Sequence, residues 1–244
     1  MSREVRFVMT NKLLWLVFVL CLALAPAGIG AALADQQDYY ISPSSVDLVH
    51  ILAPPPAPDS AAGQADLKAV LDAQRTWTPA IVASAEADEQ LTVFRFADVI
   101  GSGFKPENLP FTTKFFQQVS SDQGQVVRVA KAYFHRPRPF VADAEIKPVE
   151  RLSPNVSYPS GHATFAYVDA IILADMLPEK AAAIFARADA YAHNRVIEGV
   201  HYPSDLEAGR ISGSVIDNEF LHNAHFMADY EKARAEVRHA LGLQ

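Results

Sequence analysis

From residue 65 onward, apolar positions recur with the spacing of helices that each bury one face. Leu67, Val70 and Leu71, continued by the polar Gln74, follow the i, i+3, i+4, i+7 rule from Ala65 on. A second helix is expected over residues 79–100, opened by Pro79, with Ile81, Val82, Ala85, Leu91, Phe94 and Val99 turned inward and Gly101-Ser102-Gly103 stopping it. A third segment, 111–134, carries Phe115, Phe116, Val119, Val126, Val127 and Ala130, and Ser120-Ser121-Asp122 offers a cap that would split it in two. Helical stretches over 160–176, 178–199 and 203–222, and a last one reaching Leu241, complete the set. No run alternates with period two long enough to argue a strand. The expected fold class is all-α, a single-domain multi-helix bundle over residues 61–244.

The ends of the pattern differ from its middle. Arg3, Arg6 and Lys12 precede a 13-residue apolar run, Leu13 to Ala25, and Ala32-Leu33-Ala34 before Asp35 has the form of a cleavage site. That run is short of the ~20 residues of a spanning helix, so residues 1–34 read as a signal peptide and the location as periplasmic or secreted. Residues 35–60 form an extended arm with Tyr39, Tyr40 and the run Pro54-Pro55-Pro56-Ala57-Pro58. Either the arm is a disordered leader, or it packs on the body through its tyrosines and Ile51-Leu52. No later segment is apolar enough to stay in a membrane once the signal is removed.

Charge narrows the partners. The leader holds three Lys/Arg against one Glu, so the formal charge moves from −7 for the whole chain to −9 without it. An acidic body argues against a nucleic-acid or anionic-membrane binder. The one cysteine, Cys21, lies in the leader, so no disulfide is expected. Composition leaves the oligomeric state open, a homo-oligomer included.

Three short blocks then bring cations, histidines and one carboxylate into 75 residues: Lys131-x6-Arg138-Pro139, Pro159-Ser160-Gly161-His162 and Arg195-x5-His201-x3-Asp205. Pro137 and Pro139 end the helix before Arg138 and place it on a stiff loop. A guanidinium offers paired donors to phosphate oxygens and an ammonium a point charge. Arg136 is a rival for that contact, and only the spacing from Lys131 favours Arg138. Ser160-Gly161 opens a helix whose free N–H groups form an anion site, with His162 in its first turn. His201 precedes a helix begun by Pro203, and Asp205, four residues on, can reach back to its imidazole and fix the tautomer. His222 and His225, three apart, would make a metal pair only with further ligands, and no neighbouring pattern supplies them.

These blocks resemble the signature K-x6-RP, PSGH and SR-x5-H-x3-D of the phosphatidic-acid-phosphatase type 2 and vanadium-haloperoxidase superfamily, and the layout resembles bacterial class A non-specific acid phosphatases. Asn194 stands where the third motif usually has Ser. The resemblance implies a helical bundle of that type and an exported acid phosphatase that acts on small phosphomonoesters without metal or cofactor. It implies that His201 is a nucleophile forming phosphohistidine, that Asp205 orients it, and that His162 is the general acid. It gives phosphate binding to Lys131, Arg138, Ser160, Gly161 and Arg195, and a bell-shaped pH dependence on the acid side. Vanadate-dependent halide oxidation and hydrolysis of lipid phosphates or pyrophosphates are the alternatives the same motifs allow.

Overall fold

The computed structural model describes residues 40–149 and 156–243; the expected signal peptide, its cleavage site and Tyr39 lie outside them. Among the described residues every regular element is helical: α1 Leu48–Ile51, α2 Ala61–Gln74, α3 Pro79–Ala87, α4 Ala97–Ile100, α5 Pro110–Phe134, α6 Pro139–Ala142, α7 Gly161–Met176, α8 Ala181–Ile197, α9 Pro203–Phe220 and α10 Ala224–Ala240. Short 3₁₀ turns at Val93–Phe96, Pro106–Asn108 and Pro178–Lys180 join some of them. None of these helices is long and apolar enough to cross a membrane.

The centre of the bundle is α7. Its Ala163, Phe165, Ala166, Val168, Ala170, Ile172 and Leu173 are all buried, over most of the helix circumference, while Asp175 stays exposed. A helix apolar over so wide an arc must be covered there, and α8, α9, α5 and α10 pack against it. The tightest contact is with α9. A methyl group at Gly209 would lie 2.6 Å from Ala163 Cβ and 2.8 Å from the Ser160 carbonyl oxygen, and one at Gly213 would lie 2.9 Å from Tyr167 Cβ. Two bare backbone positions one turn apart therefore let α9 lie directly against the start of α7.

Several boundaries differ from expectation, each for a visible reason. Helix α2 starts at Ala61 because Ser60 caps the Gly63 N–H. The segment expected as one helix over 79–100 breaks after Ala87: Asp88 turns inward to meet arginines, and Leu91, expected inside, is 49% exposed. The third segment is one unbroken helix. Its Asp122 does not cap; the carboxylate instead accepts the N–H groups of Tyr40 (2.8 Å) and Ile41 (3.3 Å). His222 lies beyond the end of α9 and His225 within α10, so they do not share a helix; His222 bonds the Asn218 carbonyl, and His225 faces Asp229 and the Tyr40 ring.

The described part of the arm packs. Tyr40 is buried against Phe115, Phe220 and Phe226, and Ile41, Val46, Leu48 and Leu52 join the same core. Ile51, paired with Leu52 in the sequence reading, is exposed instead.

The α7–α9 contact generates a direct test. Gly209→Ala forces its methyl against α7 backbone and should cost roughly 1–3 kcal/mol, read as a fall of several degrees in Tm by thermal unfolding. An unchanged Tm would show that the helices part without cost.

Candidate active site

Close approach of α7 and α9 sets their first turns side by side, and the Ser160 N–H donates to the Asp205 carbonyl at 3.0 Å. Ser160 is the N-cap of α7, accepting the Ala163 N–H at 3.2 Å, and the N–H groups of Gly161 and His162 precede the helix's first internal bond. The end of α5 arrives from the third side. Its C-cap, His135, takes the left-handed conformation (φ 50°), and the chain runs through Arg136-Pro137-Arg138 into α6. Lys131, one turn back, lays its stem over Gly161 and donates to the carbonyls of Val156 (3.0 Å) and Ser157 (3.1 Å).

Arg195 ends α8, and the chain must turn at once to place His201. Gly199 makes that turn at φ +74°, with Ile146 and Lys147 packed where a side chain would project. The N–H groups of Val200 and His201 both return to the Arg195 carbonyl. All of the sequence-predicted residues therefore converge: His201 feels the charges of Arg138, Lys131 and Arg195 and the ring of His162, and His162 feels the same three cations.

The tautomer of His201 follows from its neighbours. Arg138 Nη1 lies 3.4 Å from Nε2 and donates at 2.9 Å to the Val200 carbonyl. Guanidinium can only donate, so Nε2 carries the lone pair and Nδ1 the hydrogen, which Asp205 Oδ2 accepts at 3.2 Å. Burial first, then Arg138, Lys131 and Arg195, hold the imidazole well below the ordinary histidine range. His201 is a neutral base with its Nε2 lone pair beside a cation.

Other groups in the site are displaced by burial and by the cations around them. The His162 imidazole is pushed down to about 3 by burial and by Arg195, against the pull of the Glu89 carbonyl, which accepts from Nε2 at 3.0 Å. Burial and Arg138 take the Lys131 ammonium down to about 7, and burial and Arg195 take Arg138 to about 10. Like charges held this close favour the binding of an anion between them.

Arg136, the rival in the sequence, has a different place. It donates to Asp205 Oδ1 (2.6 Å), to Ser204 Oγ (2.7 Å) and to Asp66 Oδ2 (2.8 Å), and its guanidinium lies 3.9 Å over the Tyr202 ring. Arg136 is thus taken up behind Asp205, on the side away from His201. Asp205 is fully buried, which raises its carboxyl; Arg136 and the Tyr202 N–H (2.9 Å) act in the opposite direction.

Two carboxylates escaped the sequence reading. Asp66 of α2 fixes Arg136, and nothing near it in sequence signals that. Glu198 clasps both terminal nitrogens of Arg195, at 2.7 and 2.6 Å, and the i, i+3 spacing was the available sign. That pairing leaves Arg195 Nε buried with no partner among the described residues.

Comparison with known proteins agrees with this geometry. The family model of the PAP2 superfamily matches residues 120–226, the stretch that holds all three blocks. A non-specific acid phosphatase of Salmonella typhi is 30% identical over 217 residues, 85% of each chain. The chain belongs to the PAP2 superfamily. An acid phosphatase of Zymomonas mobilis is 33% identical over 149 residues, covering 59% of this chain and 56% of its own. Among solved structures, a transmembrane PAP2-type phosphatidylglycerolphosphate phosphatase of Bacillus subtilis (TM-score 0.50, 20% identity, 68% of this chain and 87% of that one) shares the fold. So does a bacterial vanadium-dependent iodoperoxidase (TM-score 0.56, 19% identity, 71% of this chain and 52% of that one). The PAP2 bundle expected from the motifs is the bundle found. Asn194, where the chain leaves the superfamily's motif, points to Asp88 Oδ2 at 2.8 Å.

The place of Arg136 can be tested by substitution. Arg136→Ala strands two buried carboxylates and should destabilise by about 3–5 kcal/mol, seen as an early midpoint in denaturant. Arg136→Lys should not restore stability, because a single ammonium cannot bridge Asp66 and Asp205 as a fork does; a lysine variant as stable as the parent would refute the bridging role.

Proposed function

We propose that the chain is an exported, metal-independent acid phosphatase that hydrolyses small phosphomonoesters through a phosphohistidine on His201, in the periplasm or outside the cell. The observation that carries this reading is the His201 tautomer: a neutral Nε2 lone pair beside Arg138, with Nδ1–H held by Asp205. The acid phosphatase names of relatives at about 30% identity support the reaction class.

In this reading the phosphate seats among Lys131, Arg138 and Arg195 Nε, with Ser160 and the Gly161 N–H completing the cradle. Phosphoryl transfer requires chiefly position and charge stabilisation, and these groups supply both from the protein alone. His201 Nε2 forms a bond to phosphorus as the phosphorus–oxygen ester bond breaks. His162 gives its proton to the departing oxygen, and then takes one from the water that cleaves the phosphorus–nitrogen bond. Asp205 accepts from Nδ1 throughout and stabilises the positive charge that appears on the ring.

The protons set the pH dependence. Burial and the neighbouring cations hold His162 neutral down to about 3, so the proton it needs arrives with the substrate as a phosphate monoanion. The second ionisation of a phosphate ester lies near pH 6 (pKa ≈ 6). Because His201 is held well below its ordinary value, kcat/KM should stay high in the range where an ordinary histidine is charged. It should fall about tenfold per unit above about pH 6. A rate that climbs steadily past about pH 8 would refute the acid role of His162.

The deciding experiment is rapid quenching of the purified protein with a radiolabelled phosphomonoester and a chelator present. Label should appear on histidine in the parent and be absent in His201→Ala, with hydrolysis lost by several orders of magnitude. Full hydrolysis by His201→Ala would sink the mechanism. Bromide oxidation with vanadate and peroxide added, in the absence of hydrolysis, would place the chain with the peroxidases instead.

A further inference from the structure

The residue that departs from the superfamily's motif lies in a stripe with Arg187 and Tyr191 on α8, at i, i+4 and i+7. All three grip one segment, residues 88–92, which links α3 to the next turn. Arg187 donates to both oxygens of Asp88 (2.6 and 3.0 Å), and Asn194 Nδ2 donates to Oδ2 at 2.8 Å. Tyr191 donates its hydroxyl to the Gln90 carbonyl at 2.7 Å. Arg95 adds a fourth bond to Asp88, at 2.8 Å. Asp88 is fully buried, and these four hydrogen bonds keep it charged against the cost of burial.

Between Asp88 and Gln90 stands Glu89, whose backbone carbonyl accepts from His162 Nε2 at 3.0 Å. A carbonyl can only accept, so Nε2 keeps its hydrogen whether the ring is charged or neutral, and Nδ1 is the nitrogen that gives and takes the proton. The His162 ring also lies near-parallel to Tyr191, with centroids 6.4 Å apart. Segment 88–92 therefore fixes the tautomer of this imidazole, and α8 both faces its ring with Tyr191 and fixes the segment.

We propose that Asn194 is a positioning residue for His162: through Asp88 it anchors the Glu89 carbonyl that holds Nε2, so that Nδ1 meets the leaving oxygen. This rests on the reading of His162 as the general acid. Asn194 bonds only the Asp88 carboxylate and, weakly at 3.4 Å, the Ser84 carbonyl, so its contribution passes through the segment. A serine at this position is one atom shorter and does not span to Asp88 from the same backbone.

A misplaced general acid damages some substrates more than others, which separates positioning from general loss of structure. Esters with a poor leaving alcohol need the proton, and esters of acidic phenols leave without it. In Asn194→Ala, kcat/KM, which reports the step that expels the alcohol, should fall on the order of tenfold further for alkyl phosphates than for nitrophenyl phosphate, part of the ~10²–10⁴-fold that general acid catalysis provides. Phosphohistidine should still form with the nitrophenyl ester. Asn194→Ser should show the same selective loss, and it stands in if the alanine variant does not fold. Equal losses across all leaving groups, or none, would overturn the proposal. Failure of the parent protein to form phosphohistidine would instead overturn the proposed function, so the two failures are distinguishable.

Discussion

The close contact of α7 with α9 is the constraint on which the site depends. Gly209 and Gly213 remove the side chains that would otherwise keep the two helix axes apart. Because the helices touch at their first turns, two anion-favouring N-termini lie next to each other, tied by the Ser160–Asp205 backbone bond. One of these ends carries Ser160, Gly161 and His162, and the other follows His201 and carries Asp205. Neither end alone brings His162 and His201 into one site.

Around that contact, each histidine is committed to one tautomer by a neighbour with no choice of role. His201 Nε2 faces a guanidinium, which only donates; His162 Nε2 faces a carbonyl, which only accepts. The same atom of the two rings therefore bears a lone pair in one and a hydrogen in the other, the distinction on which the proposed roles of attacking group and proton carrier rest. Burial strengthens the assignment at His201, whose ring is enclosed and whose hydrogen bonds lie in a low dielectric. The charges are balanced with similar economy: Arg136 stands between two carboxylates and Arg195 is clasped by Glu198, which leaves Lys131 and Arg138 as the strongly displaced cations.

Much of this was legible in the sequence, because helix ends announce themselves. Ser160 and Pro203 each mark a first turn, and two of the three blocks sit on those ends, whereas Pro139, read only as a helix breaker, opens the short α6. The choice between Arg136 and Arg138 was not legible, since it turns on Asp66, some seventy residues away and brought close only by packing of α2. The break after Ala87 was hidden for the same reason. Its cause is an attraction between Asp88 and arginines on α8 and the next turn, while the local apolar spacing continues through Leu91 as if the helix did. The long α5 shows the reverse error: a run with the look of a cap was spent on the distant backbone of Tyr40 and Ile41.

Tyr40 has a consequence for the way the chain is made. Its hydroxyl meets Asp229, 189 residues further on, and its ring closes against Phe226 of the last helix. A ribosome releases the tyrosine well before its binding place, so this part of the core stays incomplete until residues 226–229 have emerged. Contacts of such long sequence separation are also slow to form, because the loop must be closed before burial rewards it. A bundle latched between the first and last of its described segments therefore cannot close its core piecemeal along the chain.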